Sequence, residues 1–168
     1  MATVNTRPDN VYNAALIIDS TPKCQYIEIG SVKVGICNGN KAYPIIIDNC
    51  HHSVINDISV TSSEMPISIL NSTFMDIIEI RGVFSGAVGL NISDSQINND
   101  RCVISTDATI AINVVSNSNV IFGFVRTTGG CAIGIRVDTA HVTGLQHQSD
   151  AGTPNAGSTN QFFAVNYA

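Results

Sequence analysis

Ile45-Ile46-Ile47, Ile67-Ser68-Ile69, Val88-Gly89-Leu90, Ile110-Ala111-Ile112 and Ile133-Gly134-Ile135 are apolar-x-apolar triplets whose first residues lie 22, 21, 22 and 23 residues apart. Each reads as a short strand, because alternate residues of an extended chain point to the same side. A second apolar point follows nine or ten residues later in every unit, at Val54, Ile77, Ile97, Val120 and Val142. In four units a third comes close behind, at Ile58, Ile80, Phe124 and Leu145. Turn formers separate the two strands of each unit: Asp48-Asn49, Asn71-Ser72, Ser93-Asp94-Ser95, Ser116-Asn117-Ser118-Asn119 and Asp138-Thr139.

Strand, polar turn, strand and polar loop, recurring about every 22 residues, describe a coil that turns once per unit. Such coils stack at about 4.8 Å, like residue over like residue. The expected fold is an all-β parallel β-helix of about five to six coils, with Ile45, Ile67, Val88, Ile110 and Ile133 in one internal ladder. A leucine-rich repeat has a similar period but needs a leucine and asparagine signature these units lack. A sandwich or barrel would show hairpins with tight Asn-Gly turns, and Asn38-Gly39 lies before the array. The segment Tyr26-Ile27-Glu28-Ile29-Gly30, followed by Val32, Val34 and Ile36, reads as a less regular first coil. The organisation is then an N-terminal arm or cap over 1–25, the β-helix over 26–148 and a C-terminal arm over 149–168. Solenoid ends expose strand edges, which the arms or a partner chain must cover.

Composition agrees with a turn-rich chain. Of 168 residues, 44% are apolar and only 12% charged, and seventeen are asparagine, a residue favoured in left-handed turns. The net charge of −5 without a Lys or Arg run argues against nucleic acid as a partner. No segment approaches the ~18 apolar residues of a membrane span, and residues 1–8 lack the apolar core of a secretion signal, so neither a membrane nor the general export route is expected. Cys24, Cys37, Cys50, Cys102 and Cys131 are odd in number and without CxxC spacing, which fits small core residues in a reducing compartment.

In repeat length, Asn-rich turns and apolar ladders, residues 26–148 resemble the right-handed parallel β-helices of bacteriophage tailspikes and of the pectin-lyase-like superfamily. The resemblance implies a right-handed coil and a homo-oligomer, in that class a trimer, on a virion assembled in the host cytoplasm. It also implies one of two activities, attachment or polysaccharide cleavage. The chain has no room for both a particle-binding domain and a long catalytic helix, so the expected function is non-enzymatic: capsid decoration, cement, or a small spike. Its partners would be major capsid or tail proteins held through the terminal arms, with Phe162, Phe163 and Tyr167 as an anchor. The alternative is a tailspike-like depolymerase, or a sugar-binding adhesin on host surface polysaccharide.

The alternative rests on one alignment. Twelve residues after successive triplet starts lie Asp57, Glu79 and Asp100, which in register would stack three carboxylates about 5 Å apart, the spacing of a retaining glycosidase pair. The competing reading is a solvated edge neutralised by Arg81 and Arg101, worth little in energy. Cys50-His51-His52 offers three metal ligands in a row, but consecutive strand residues point to opposite faces and do not converge on one ion. Neither a metal nor a cofactor is expected. His141 and His147 read as surface residues, and Phe74, Phe84, Phe122 and Phe124 as core or turn residues too scattered for a sugar-stacking platform.

Overall fold

The turn after each triplet demands backbone that most side chains resist. In the computed structural model, which describes residues 14–37, 42–157, 160–162 and 165–167, Asn49, Asn71, Asp94, Asn117 and Thr139 hold φ values of +48° to +57°. Asn and Asp tolerate this left-handed region, and so the chain turns a corner at the same point in every coil. Fifteen strands result, and no helix forms among the described residues.

The strands sort by parity into two parallel sheets. In one, β1 (Ala14–Gln25), β3 (Tyr43–His51), β5 (Ile67–Leu70), β7 (Val88–Ser93), β9 (Ile110–Val115), β11 (Ile133–Asp138) and β13 (Thr153–Ala156) pair in that order. In the other, β2 (Glu28–Cys37), β4 (Val54–Ser63), β6 (Met75–Phe84), β8 (Gln96–Thr106), β10 (Asn119–Thr128), β12 (His141–Ser149) and β14 (Asn160–Phe162) do the same, and β15 (Val165–Tyr167) also pairs β12. The protein is a parallel β-solenoid of about six turns. Pairing continues into both segments read as arms: Leu16 lies beside Ile45, Ile133 beside Thr153, and Val142 beside Asn160.

The register corrects the expected ladder in its upper half. Ile67 pairs Leu90, Leu90 pairs Ile112 and Ile112 pairs Ile135, so the internal column is Leu16, Ile45, Ile67, Leu90, Ile112 and Ile135. Val88, Ile110 and Ile133 form a separate column at the rim of the core. The two-residue slip keeps parity, which is why strand periodicity does not reveal it. It arises in the loop before β7. There the Ser85 N–H bonds Ser63 O at 3.0 Å, and a Cβ on Gly86 would fall 1.6 Å from Glu64 O, so only glycine permits the approach. Measured from Ile45 along the true column, the coils are 22, 23, 22 and 23 residues long.

The second strands carry the rest of the core. Met75, Ile97, Val120 and Val142 form one inner column. Ile55, Ile77, Asn99 and Phe122 form the next, followed by Ile58, Ile80, Cys102, Val125 and His147. Val54, Phe124 and Leu145, counted among the apolar points of the sequence, fall outside: Val54 and Leu145 by simple alternation with Ile55 and Val142, and Phe124 because alternation breaks at 123/124, as it does at 56/57, 78/79, 100/101 and 145/146, where two successive residues leave the core. A strand does this only by bending, so each long strand folds along a ridge.

A buried serine ladder closes the corner between the sheets. The Cys50 N–H donates to Ser72 Oγ (3.1 Å), the Ser72 N–H to Ser95 Oγ (3.1 Å) and the Ser95 N–H to Ser118 Oγ (3.2 Å). Each hydroxyl in turn donates within its own coil, to the carbonyls of Leu70, Ser93 and Val115. These serines, read from the sequence as turn formers, are at most 1% exposed.

Candidate functional site

The ridge holds the residues proposed for catalysis, in a different set. Ser31 lies beside Asp57, Asp57 beside Glu79, Glu79 beside Arg101, and Arg101 beside Phe124. The third rung is therefore an arginine, and Asp100 points outward one position away, with Gly123 as its neighbour on β10. The displacement follows from the 22-residue step between Glu79 and Arg101, where a step of 21 had been read. Arg81 Nη2 lies 3.3 Å from Asp57 Oδ2, Arg81 Nη1 3.9 Å from Glu79 Oε2, and Arg101 Nε 3.7 Å from Glu79 Oε1. Ser31 Oγ donates to Asp57 Oδ2 at 3.1 Å, and the Arg101 guanidinium lies 6.0 Å from the Phe124 ring centroid. The row is an alternating ion-pair ladder with both arginines about half exposed.

Cys50, His51 and His52 diverge as strand geometry requires. Cys50 is buried, and His51 bonds Thr73 Oγ1 through Nδ1 (2.6 Å) and Asn49 Oδ1 through Nε2 (3.3 Å). His52 turns outward between two aromatic rings. Tyr26 stacks on it at a centroid distance of 5.6 Å, and Phe74 on its other side at 4.8 Å with only 10° between the planes. Successive coils thus place Tyr26, His52 and Phe74 one above another, and the column continues through Gln96, Asn119 and His141, all exposed. Tyr26 is 78% and Phe74 62% exposed. This stack was missed in the sequence because the step from Tyr26 to His52 is 26 residues and the next 22, so only the second matches the repeat.

The stack stops at Phe74. Beside it is an open cleft of about 140 Å³, lined by Phe74, Met75, Gln96, Ile97, Asn98, Asn119 and Ile121. Asn98 is fixed there by donating to Asp76 Oδ1 at 3.0 Å.

His147, read as a surface residue, is fully buried. Its Nδ1 lies 2.8 Å from Asn155 Oδ1, and its Nε2 3.1 Å from Thr127 Oγ1, which in turn lies 2.6 Å from Ser149 Oγ. An amide oxygen accepts only, so Nδ1 carries the proton and Nε2 accepts from Thr127. Burial pushes this imidazole below its ordinary range, with the Asn155 bond acting the other way. Burial also pushes the Cys102 thiol upward, and that of Cys131 with help from Asp150. For the terminal anchor, only the backbone of Phe162 and Tyr167 falls within described residues, in β14 and β15, and Phe163 lies outside them.

Comparison of the chain with protein-family models, curated proteins and solved structures finds no match.

Proposed function

We propose that the protein is a non-enzymatic structural component of a bacteriophage particle, an oligomeric β-solenoid that decorates or cements the capsid or forms a small spike. The observation that carries the non-enzymatic half is the ion-pair ladder. A glycosidase needs one carboxyl group kept protonated as acid and another left as a bare nucleophile or base. Here Arg81 binds both Asp57 and Glu79, and Arg101 takes the other oxygen of Glu79, so neither carboxylate faces a substrate alone.

The particle assignment rests on the resemblance of the sequence to tailspikes in repeat length, Asn-rich turns and apolar ladders, with which a β-solenoid is consistent. Its assembly is read from the two ends of the stack, where β1 and β2 at one end and β13 and β14 at the other pair on one side only among the described residues. Each end presents a row of backbone donors and acceptors that a second chain or a capsid protein would pair. A homotrimer, bound through its termini to major capsid or tail proteins, satisfies both requirements.

Sedimentation and native mass measurement test this reading. A stable trimer that copurifies with particles is the expected result, and a well-folded monomer at micromolar concentration contradicts it. Incubation with bacterial surface polysaccharide is expected to release no oligosaccharide. Release that disappears in Glu79→Gln would replace this reading by a depolymerase.

A further inference from the structure

We propose that the cleft at the end of the Tyr26–His52–Phe74 stack is a binding site for one ring of an uncharged sugar, which packs against the exposed Phe74 ring. This goes beyond the structural role and does not depend on it.

Backbone conformation gives the first support. Tyr26, His52 and Phe74 hold φ values of +67°, +51° and +55°. Three residues earlier, at the same corner, the left-handed geometry is met by Asn49 and Asn71, and in later coils by Asp94, Ser116, Asn117 and Thr139. Bulky aromatic residues in this region cost on the order of 1–3 kcal/mol each, and such strain clusters at binding sites. Three coils accept it to keep exposed rings in line where asparagine would serve the turn better.

The second support is the shape of the site. His52 is covered on both sides, Tyr26 stacks on one ring only, and Phe74 lines the cleft. The coil above supplies Gln96 in place of a ring, and the next supplies Asn119. A volume of about 140 Å³ suits a single six-membered ring, since a cavity of about 150 Å³ accepts benzene. A pyranose puts axial C–H groups on an aromatic face and hydroxyl groups around its edge. Gln96, Asn98 and Asn119 surround the edge with amides, which donate and accept.

Charge narrows the ligand class. No Lys or Arg lines the cleft, and the Asp76 carboxylate beside it is bonded to Asn98. Phosphate, sulfate and carboxylate sugars would meet no counter-charge, and a nucleotide would lack the basic track that single strands require. Neutral hexoses and N-acetylhexosamines remain.

The test is saturation-transfer difference NMR on the full chain with the methyl glycosides of glucose, galactose, mannose and N-acetylglucosamine. At least one glycoside is expected to take saturation on its ring C–H protons. That signal should drop at least fivefold in Phe74→Ala and in Asn119→Ala, and persist in Phe74→Tyr and in Leu145→Ala, an exposed site on the distant ridge. If Phe74→Ala does not fold, as judged by circular dichroism, Asn119→Ala decides in its place. Absence of saturation on all four glycosides, saturation untouched by the two cleft variants, or stronger binding of N-acetyltyrosine amide than of any glycoside would overturn the proposal.

Discussion

Replacing Ser95 by alanine should cost far more than an exposed serine does. The Ser95 hydroxyl accepts the Ser72 N–H at 3.1 Å and donates to Ser93 O at 2.7 Å, in a site 1% exposed. Alanine leaves the Ser72 N–H without its acceptor, whereas Ser93 O still accepts from the Asn71 N–H at 3.1 Å. One buried donor is orphaned, and such a loss costs about 1–3 kcal/mol. The hole left by the hydroxyl is smaller than a water molecule needs, so solvent does not repair it. Ser93→Ala is the control, because that hydroxyl bonds the exposed Asp94 carboxylate at 2.9 Å and should matter by less than about 0.5 kcal/mol. Urea unfolding followed by circular dichroism, with the slope unchanged, reads both values. A Ser95→Ala change below about 0.5 kcal/mol, or one equal to the control, would refute the ladder.

Three further outcomes are expected. Ile112→Asp and Ser118→Asp should both abolish cooperative unfolding, because each puts an unpaired charge into a site no more than 1% exposed; tolerance of Ser118→Asp would place that residue in solvent after all. Arg81→Gln should cost only about 0.2–1 kcal/mol by denaturation, and the difference should shrink in roughly 0.5 M salt, since the pairs are part-exposed and screened; a salt-independent loss of several kcal/mol would be incompatible with that geometry. Because burial lowers the native pKa of His147 from its unfolded value near 6.5, its contribution is complete above that pH and is lost as pH falls through the range below it, where the unfolded chain takes up the proton first; the urea midpoint should fall from pH 7.5 to 5.5 in the unmodified protein and fall less in His147→Gln, and equal slopes in the two would contradict this.

The coil length, the all-β class and the polar corners were legible in the sequence because each rests on a local rule: period-2 alternation and the tolerance of Asn for left-handed backbone. Register was not legible from the triplets, since Val88 and Leu90 have the same parity. The turn carries the missing signal. Ile45, Ile67 and Leu90 each stand four residues before a left-handed residue, at Asn49, Asn71 and Asp94, whereas Val88 stands six before it. Counting back from the turn puts Leu90 over Ile67 and removes Asp100 from the row, but it overshoots Arg101 by one, because Glu79 lies eight residues after Asn71 and Arg101 seven after Asp94. The ridge was hidden because bending puts two successive residues outward, which alternation cannot represent; Phe124 was counted with the core for that reason. The candidate sugar site was hidden because Tyr26 belongs to a coil four residues longer than the next, and a histidine stands between the two other rings.

The stacking of coils in this register underlies both the ion-pair ladder and the aromatic column, and a disulfide tests it directly. Asp76 and Asn98 are exposed partners on adjacent parallel strands, so their Cα atoms lie about one strand spacing apart, within the 4.4–6.8 Å a disulfide spans. In Asp76→Cys/Asn98→Cys, oxidation should give the linked pair within one chain, read by peptide mass mapping. Asp76→Cys/Asp100→Cys, offset by two residues and about 8 Å by the same geometry, should remain unlinked. Equal linkage of the two pairs, or linkage of the offset pair alone, would contradict the parallel register from which the site is built.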